Sequence, residues 1–114
     1  MENCIFCKIA AGEVPASKVF EDARVMAFKD LDPQAPVHIL IIPKEHYASI
    51  LDVGCNSDSP LNAMVLAAQK IAKDMGVAET GFRLVINAGK DGGQSVPHLH
   101  MHLLGGRAFE WPAG

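Results

Sequence analysis

The sequence predicts an α+β domain built on a five-stranded antiparallel sheet with two helices. Short apolar runs separated by turn residues indicate strands that follow one another directly. An amphipathic stripe between residues 59 and 76 indicates one long helix. Strands joined mostly by short turns, with the helices kept apart from them, are typical of the α+β class. The length of 114 residues suits a single domain, residues 1–114, that can bury a core without disulfides.

Composition and charge exclude several classes of partner. The chain is 49% hydrophobic and 20% charged, which is typical of a globular protein. Its net charge of −3 offers no basic footprint for nucleic-acid backbones, so no nucleic-acid partner is expected. No apolar run approaches the roughly 20 residues of a membrane span, so no membrane partner is expected. Three cysteines and no signal-peptide pattern favour the reducing cytoplasm.

The first half of the chain predicts one short helix and three strands. Apolar residues at helical spacing within residues 1–11 predict the helix, which Gly12 ends. Pro15 then opens an extended region. Strands are predicted over Lys18–Glu21, Val25–Asp30 and Val37–Pro43. The third strand is nearly all apolar and is therefore expected to be buried on both faces.

The second half predicts the long helix and a fourth strand. Ser59 followed by Pro60 is a helix start, because serine caps the first turn and proline fits the first helical position. The apolar stripe runs from Leu61 to Met75, and Gly76 marks the stop. The stripe is expected to pack on the core, with part of it facing a partner subunit. A fourth strand is predicted over Phe82–Asn87.

The fifth strand is predicted over His98–Leu104, where three histidines alternate with large apolar residues. A strand places the histidines on one face, roughly 6.6 Å apart, and the apolar residues on the other. A helix would scatter both sets around its axis. The preceding turn cluster, Asp91–Ser95, is rich in glycine and small polar side chains.

Three interpretations of this strand are open from the residues alone. A solvated histidine tract conflicts with the apolar residues between the histidines. A metal site of all three is too wide, since they would span roughly 13 Å, although two neighbours could share an ion. A histidine acting as nucleophile or acid–base beside an anion-binding loop fits best, because neutral imidazole is nucleophilic near pH 7.

The run His98-Leu99-His100-Met101-His102-Leu103-Leu104 matches the pattern of the histidine triad family. With Asp91–Val96 before it, and Gly105-Gly106-Arg107 and Trp111-Pro112 after it, the chain resembles the histidine triad nucleotide-binding (HINT) branch of that family over its whole length. The resemblance implies the same α+β fold. It also implies a homodimer whose two sheets join into one of ten strands.

The resemblance also implies the catalytic residues. His100 would attack the α-phosphorus and form a nucleotidyl-histidine. The backbone carbonyl of His98 would accept a hydrogen bond from His100 Nδ1 and leave Nε2 free. His102 would contact phosphate oxygens, Ser95 would donate to them, and His38 would orient the site. His38 could instead be an ordinary core histidine.

The same resemblance implies the nucleotide pocket. Asp30 would accept the ribose hydroxyls, and apolar residues would sandwich the base, although those residues could equally be ordinary core. Nothing in the sequence distinguishes adenine from guanine. The implied nucleotide-binding residues are Ile5, Phe6, Ile9, Phe28, Asp30, Leu31, Asn87, Gly93, Gln94, Ser95, Val96, His100, His102 and Trp111.

A metal site is the third feature that the sequence suggests. The spacing Cys4-x-x-Cys7 is half of a zinc site. Human-type members often lack this pair, but bacterial relatives and the uridylyltransferase branch complete it with two histidines, which here are His46 and His98. Four protein ligands would make the Zn²⁺ structural. The alternative is a pair of buried, reduced thiols.

Three functions follow from these features. The first is a purine nucleoside phosphoramidase or nucleotidyl hydrolase that releases AMP or GMP and needs no cofactor for catalysis. The second is a dinucleoside polyphosphate hydrolase, which the Gly105-Gly106-Arg107 segment and Trp111 disfavour. The third is a nucleotide-binding regulatory protein with weak catalysis, which an intact His100 disfavours. The sequence does not name the physiological substrate.

Overall fold

A five-stranded antiparallel sheet is the centre of the computed structural model, which describes residues 3–114. The strands are β1, Lys18–Glu21; β2, Val25–Lys29; β3, Val37–Pro43; β4, Phe82–Val85; and β5, Met101–Gly105. Their order across the sheet is β1-β2-β3-β5-β4, so β3 is central and β4 is an edge strand. The predicted α+β class with five antiparallel strands is confirmed. The ten-stranded sheet of a dimer remains a prediction.

Two α-helices cover the sheet: α1, Ile5–Ala10, and α2, Pro60–Asp74. The hydroxyl of Ser59 accepts a hydrogen bond from the Leu61 N–H at 3.2 Å, which caps α2 as predicted. Gly76, with φ of 75°, lies just beyond the helix, where a left-handed residue can end it without strain. A short 3-10 helix, Ile50–Asp52, was not predicted.

The central strands are buried on both faces, as the apolar sequence of β3 predicts. One face packs on α2 through a cluster that includes Ile39, Ile41 and Leu103. The other face packs on α1 through a second cluster that includes Phe28 and Leu40. The helix α1 is therefore packed against this second face of the sheet.

The predicted strand over the histidine run is wrong for its first three residues. β5 begins only at Met101, and His98 to His100 precede it as irregular chain. Met101 pairs with Ile41 in β3, so Leu99 would next face Pro43, which has no N–H for the ladder. The Leu99 N–H instead donates to the Tyr47 carbonyl at 2.7 Å. The departure of the chain from the sheet frees the first two histidines for other contacts.

Two other strands are shorter than predicted. β2 ends at Lys29 and β4 ends at Val85, so Asp30 and Asn87 lie in the loops beyond them. The helix predicted within residues 1–11 is confirmed as α1, which begins at Ile5. Residues 1 and 2 of that range lie outside the described residues. Between residues 3 and 114, no helix has the length and apolar character required to span a membrane.

Candidate active site

His100 has one ring nitrogen fixed by the backbone and one left free. The ring is buried, with 3% of its surface exposed, and Nδ1 lies 2.8 Å from the His98 carbonyl oxygen. A carbonyl only accepts, so Nδ1 carries a proton, and the lone pair of the neutral ring lies on Nε2. Phe6 of α1 packs its ring against His100 with centroids 5.2 Å apart. The backbone and Phe6 therefore hold the ring of His100 in a fixed position with Nε2 as its free nitrogen.

A chain of hydrogen bonds sets the proton positions of His38 and His102. The Gln34 N–H donates to His38 Nδ1 at 3.0 Å, so the proton of His38 lies on Nε2. That Nε2 lies 2.8 Å from His102 Nδ1. His102 Nδ1 must then accept, which places the proton of His102 on Nε2. His102 thus has a free N–H donor, while His100 has a free lone pair.

Burial keeps His102 uncharged. Removal from water, followed by repulsion from the His100 and His38 rings, lowers the pKa of His102 from 6.5 to about 4. The negative charge of Asp30 opposes this shift of the pKa without cancelling it. At neutral pH, His102 is therefore a neutral hydrogen-bond donor in the unliganded protein.

Asp30 lies beside this pair at the end of β2. Its Oδ1 accepts from the Asp32 N–H at 2.8 Å, and its Oδ2 lies 3.5 Å from His38 Nε2. The contact is not an ion pair, because an accepting Nδ1 leaves His38 neutral. Asp30 supplies a fixed carboxylate at the edge of the site.

A cavity of about 310 Å³ brings most of the predicted nucleotide-binding residues together. An adjoining cavity of about 350 Å³ is lined by no histidine, so the smaller cavity is the candidate active site. Leu31 is 99% exposed at the rim. The predicted residues that line the smaller cavity are Ile5, Phe6, Ile9, Phe28, Asp30, Leu31, Ser95, Val96, His100 and His102.

Other residues that line the cavity were not predicted from the sequence. They are Val14–Ser17, in the loop after α1, together with Lys29 and Leu40. Apart from Pro15, this loop has no residue whose type suggested a role. The alternation of β3 could have found Leu40, since it lies two residues from His38 on the same face.

Four predicted nucleotide-binding residues do not line the cavity: Asn87, Gly93, Gln94 and Trp111. The Gln94 side chain holds the loop before the triad instead. Its amide nitrogen donates to the carbonyls of Ala48 and Val96 at 2.7 and 2.9 Å, and its oxygen accepts from the Gly89 N–H. Trp111 is 85% exposed at the chain end.

The same loop requires a glycine at one position. A Cβ on Gly92 would lie 2.3 Å from the Ala88 carbonyl oxygen, which is closer than any side chain can approach. Gly93 follows with φ of 79°, in the left-handed region. These two residues turn the chain so that Ser95 and Val96 reach the cavity wall.

A cluster of two cysteines and two histidines lies at the N-terminal end of α1: Cys4, Cys7, His46 and His98. Each offers one ligand atom, and these four atoms all lie within 4.8 Å of one another. Cys7 Sγ lies 3.2 Å from His46 Nδ1 and 3.5 Å from His98 Nδ1. His46 Nδ1 and His98 Nδ1 are 3.2 Å apart, and Cys4 Sγ is 3.3 Å from His98 Nδ1. The predicted set is thus assembled in space.

The proton position of His98 suits metal ligation. Its Nε2 lies 2.9 Å from the Pro43 carbonyl oxygen and therefore carries the proton, which leaves the lone pair of Nδ1 facing the cluster. Burial lowers the pKa of His98, partly opposed by the hydrogen bond to Pro43. This shift favours the neutral form of His98, which metal ligation requires.

Asp30, His38 and His102 form a second convergent set, with ligand atoms within 4.8 Å of one another. This set does not suit a cation. His38 Nδ1 accepts from Gln34, so Nε2 carries a proton and has no lone pair for a metal. Among the residues that the structure describes, the cysteine–histidine cluster is therefore the one suited to a metal.

Comparisons with known proteins agree with this geometry. A sequence model of the HIT domain family matches residues 11–109. The chain belongs to the HIT, or histidine triad, family. The purine nucleoside phosphoramidase of Escherichia coli K12 is a 48% identical relative of this HIT protein over 106 residues, which cover 93% of this chain and 89% of that one.

Solved structures of HIT proteins superpose closely on the fold. A HIT family hydrolase from Legionella pneumophila Philadelphia 1 is 53% identical, with a TM-score of 0.94 and coverage of 98% of this chain and 100% of that chain. A histidine triad nucleotide-binding protein from Candida albicans is 34% identical, with a TM-score of 0.83 and coverage of 98% and 85%. The family resemblance and the fold it implies are confirmed.

The low pKa of His102 predicts a pH dependence of stability. Between pH 6.5 and about 4 the unfolded chain binds a proton at residue 102 that the native protein does not. The contribution of neutral His102 is fully present above pH 6.5 and is lost as the pH falls toward 4. NMR titration should show His102 neutral at pH 5.5. In His102→Gln, the free energy of unfolding measured by urea melts should depend less on pH. Titration of His102 near pH 6.5 in the NMR experiment would contradict the prediction.

Proposed function

We propose that this HIT protein is a purine nucleoside phosphoramidase, or nucleotidyl hydrolase, that releases AMP or GMP through a covalent intermediate on His100. The observation that carries the proposal is the tautomer of His100. Its Nδ1–H donates to the His98 carbonyl at 2.8 Å, so the Nε2 lone pair is free in a ring that lines the cavity. A regulatory protein that only bound nucleotides would not need such a nucleophile.

The reaction proceeds in two displacements at phosphorus. His100 Nε2 forms a bond to the α-phosphorus while the phosphorus–nitrogen bond to the amine breaks, and the amine leaves with a proton. Water then attacks the phosphorus, the nucleotidyl–His100 bond breaks, and the nucleoside monophosphate leaves. Because neutral imidazole is restored, the second step returns the enzyme to its starting state.

His102 supplies a hydrogen-bond donor to the phosphate. Its Nδ1 still accepts from the His38 Nε2–H in the complex, so the ring stays neutral and Nε2–H is its donor. Through that N–H, His102 can orient a water molecule that gives the departing amine its proton. Ser95 and the Val96 N–H complete the donors to the phosphate oxygens, and preorganised donors stabilise charge that develops there. The Gln94 side chain and Gly93 shape this loop. By family resemblance, Asn87, in the loop after β4, would contact the phosphate.

The apolar end of the cavity binds the nucleoside. Ile5, Phe6 and Ile9 from α1 form one wall, and Phe28 continues it, with the rings of the two phenylalanines in edge-to-face contact at a centroid separation of 5.6 Å. The Asp30 carboxylate accepts the ribose hydroxyls at the polar edge. An apolar slot with one placed carboxylate suits a nucleoside.

The cysteine–histidine cluster holds a structural Zn²⁺. Tetrahedral zinc, with bonds of about 2.3 Å to sulfur and 2.0–2.1 Å to nitrogen, requires S···N separations near 3.6 Å and N···N separations near 3.3 Å. The separations here are 3.2–3.5 Å and 3.2 Å. Four protein ligands close the site to water, so the ion would hold α1 against the triad and would not take part in the chemistry.

Metal removal tests this assignment. Protein purified without chelator should contain about one zinc per chain, and Cys4→Ser should lose it and melt at a lower temperature, because the ligand set supplies folding free energy. Cys55→Ser, which changes an exposed cysteine, is the matched control. Equal melting temperatures for the two variants, with neither wild type nor variant binding zinc, would leave Cys4 and Cys7 as ordinary thiols.

The protein acts as a homodimer in the cytoplasm. β4 is an edge strand that exposes Leu84, and α2 exposes Val65 and Leu66. A two-fold partner would pair the edge of β4 and cover these residues. Trp111, exposed at the chain end, would reach the partner's site. Three free cysteines suit a reducing compartment.

Light scattering at micromolar concentration should give the mass of two chains. Leu66→Glu should shift the protein toward the monomer, because it places a charge in the proposed interface. Leu51→Glu makes the same change at another exposed leucine and should leave the dimer intact. A monomeric wild-type protein would exclude the ten-stranded sheet.

His100→Ala should abolish turnover of an aminoalkyl phosphoramidate of AMP or GMP and leave binding of the monophosphate within about tenfold. Kinetics and calorimetry measure the two quantities. Diadenosine polyphosphates, tested in parallel, measure the alternative activity, which is dinucleoside polyphosphate hydrolysis. Much faster cleavage of the polyphosphates would favour the second hypothesis, and normal turnover by the alanine variant would refute His100 as nucleophile.

A further inference from the structure

We propose that Asp30 is a positioning residue that couples recognition of the nucleoside sugar to the hydrogen bond that His102 gives to the phosphate. The inference rests on the proposed nucleotide site. It links two parts of that site that would bind different groups of the substrate: Asp30, which binds the sugar, and His102, which binds the phosphate. The link runs through one proton, on His38.

The proton on His38 Nε2 has two acceptors within reach. His102 Nδ1 lies 2.8 Å away and Asp30 Oδ2 lies 3.5 Å away. His38 cannot serve them with different nitrogens, because its Nδ1 already accepts from the Gln34 N–H at 3.0 Å. His102 accepts this N–H in a hydrogen bond, whereas the longer contact with Asp30 attracts it by charge, so the two groups compete for a single N–H.

The carboxylate is held so that it faces both His38 and the cavity. The Asp30 N–H donates to the His38 carbonyl at 3.0 Å, and Oδ1 accepts from the Asp32 N–H. Oδ2 is left for His38 and for a ligand. The Asp30 side chain is 18% exposed and lines the cavity, so a sugar hydroxyl can reach it.

A sugar hydroxyl that donates to Asp30 weakens the competing acceptor. The His38 N–H is then directed more fully at His102 Nδ1. An imidazole that accepts a stronger hydrogen bond at one nitrogen becomes a better donor at the other, because bonds in a chain polarise one another. The Nε2–H of His102 therefore binds the phosphate more strongly when the sugar hydroxyls are in place.

The surroundings of His102 leave Asp30 as the nearby anion. His102 packs against the rings of His38 and His100, with both centroid separations 5.1 Å. Both rings lower the pKa of His102, and Asp30 is the group that raises it. The carboxylate thus influences His102 through charge as well as through His38.

The first test compares kcat and KM for adenosine and 2′,3′-dideoxyadenosine phosphoramidates. Loss of the hydroxyls should raise KM and also lower kcat by about three- to tenfold, within the coupling typical of residues in one hydrogen-bond network. In Asp30→Asn, which keeps an oxygen for the Asp32 N–H, the sugar dependence of kcat should disappear. Asp32→Asn removes a neighbouring exposed charge and should keep it.

The second test needs no variant. In wild-type protein, ¹H and ¹⁵N NMR of the imidazoles should show the His38 Nε2–H and His102 Nδ1 signals shifting further with AMP than with its dideoxy analogue at saturation. Identical signals with both nucleotides, or an unchanged kcat ratio in Asp30→Asn, would overturn the coupling while binding and turnover stand. Failure of AMP to bind at all would overturn the proposed function and the coupling together.

Discussion

The position of His98 is the constraint on which the site depends. Its four polar groups are all committed: Nε2–H to the Pro43 carbonyl, Nδ1 to the cysteine–histidine cluster, the backbone N–H to the Val96 carbonyl, and the backbone carbonyl to His100 Nδ1. The residue is fully buried. It therefore joins the end of β3, the start of the chain and the proposed nucleophile at one point. A displacement of its backbone would break the hydrogen bond that fixes a proton on Nδ1 of His100.

Packing on α1 extends this constraint to the nucleoside pocket. Phe6 contacts the rings of His98, His100 and Phe28 with centroid separations of 5.2–5.8 Å. Cys4 and Cys7 flank Phe6 in sequence and hold α1 through the proposed zinc site. The helix α1, although only six residues long, thus both shapes the proposed base pocket and packs against the proposed nucleophile, so it holds the two in one fixed arrangement.

Periodicity in the sequence was enough for most of the fold but not for the chain path at the triad. Alternation gave the sides on which Leu99 and the histidines lie, and the capping pair Ser59-Pro60 gave the start of α2. The early exit of His98–His100 from the sheet depends on Pro43, on the strand across from it, which only the pairing register reveals. Spacing suggested Cys4 and Cys7 as metal ligands, and the family resemblance added His46 and His98. The proton positions of His38 and His102, by contrast, follow from a Gln34 N–H that no motif marks.

The central claim is that the His98 carbonyl fixes His100 so that Nε2 attacks phosphorus. Rapid quench of wild-type protein with a phosphoramidate, followed by mass spectrometry of peptides and ³¹P NMR of the adduct, tests it most directly. The account predicts one nucleotidyl group on His100, bonded through Nε2. An adduct bonded through Nδ1 of His100, or carried by another residue, would contradict it.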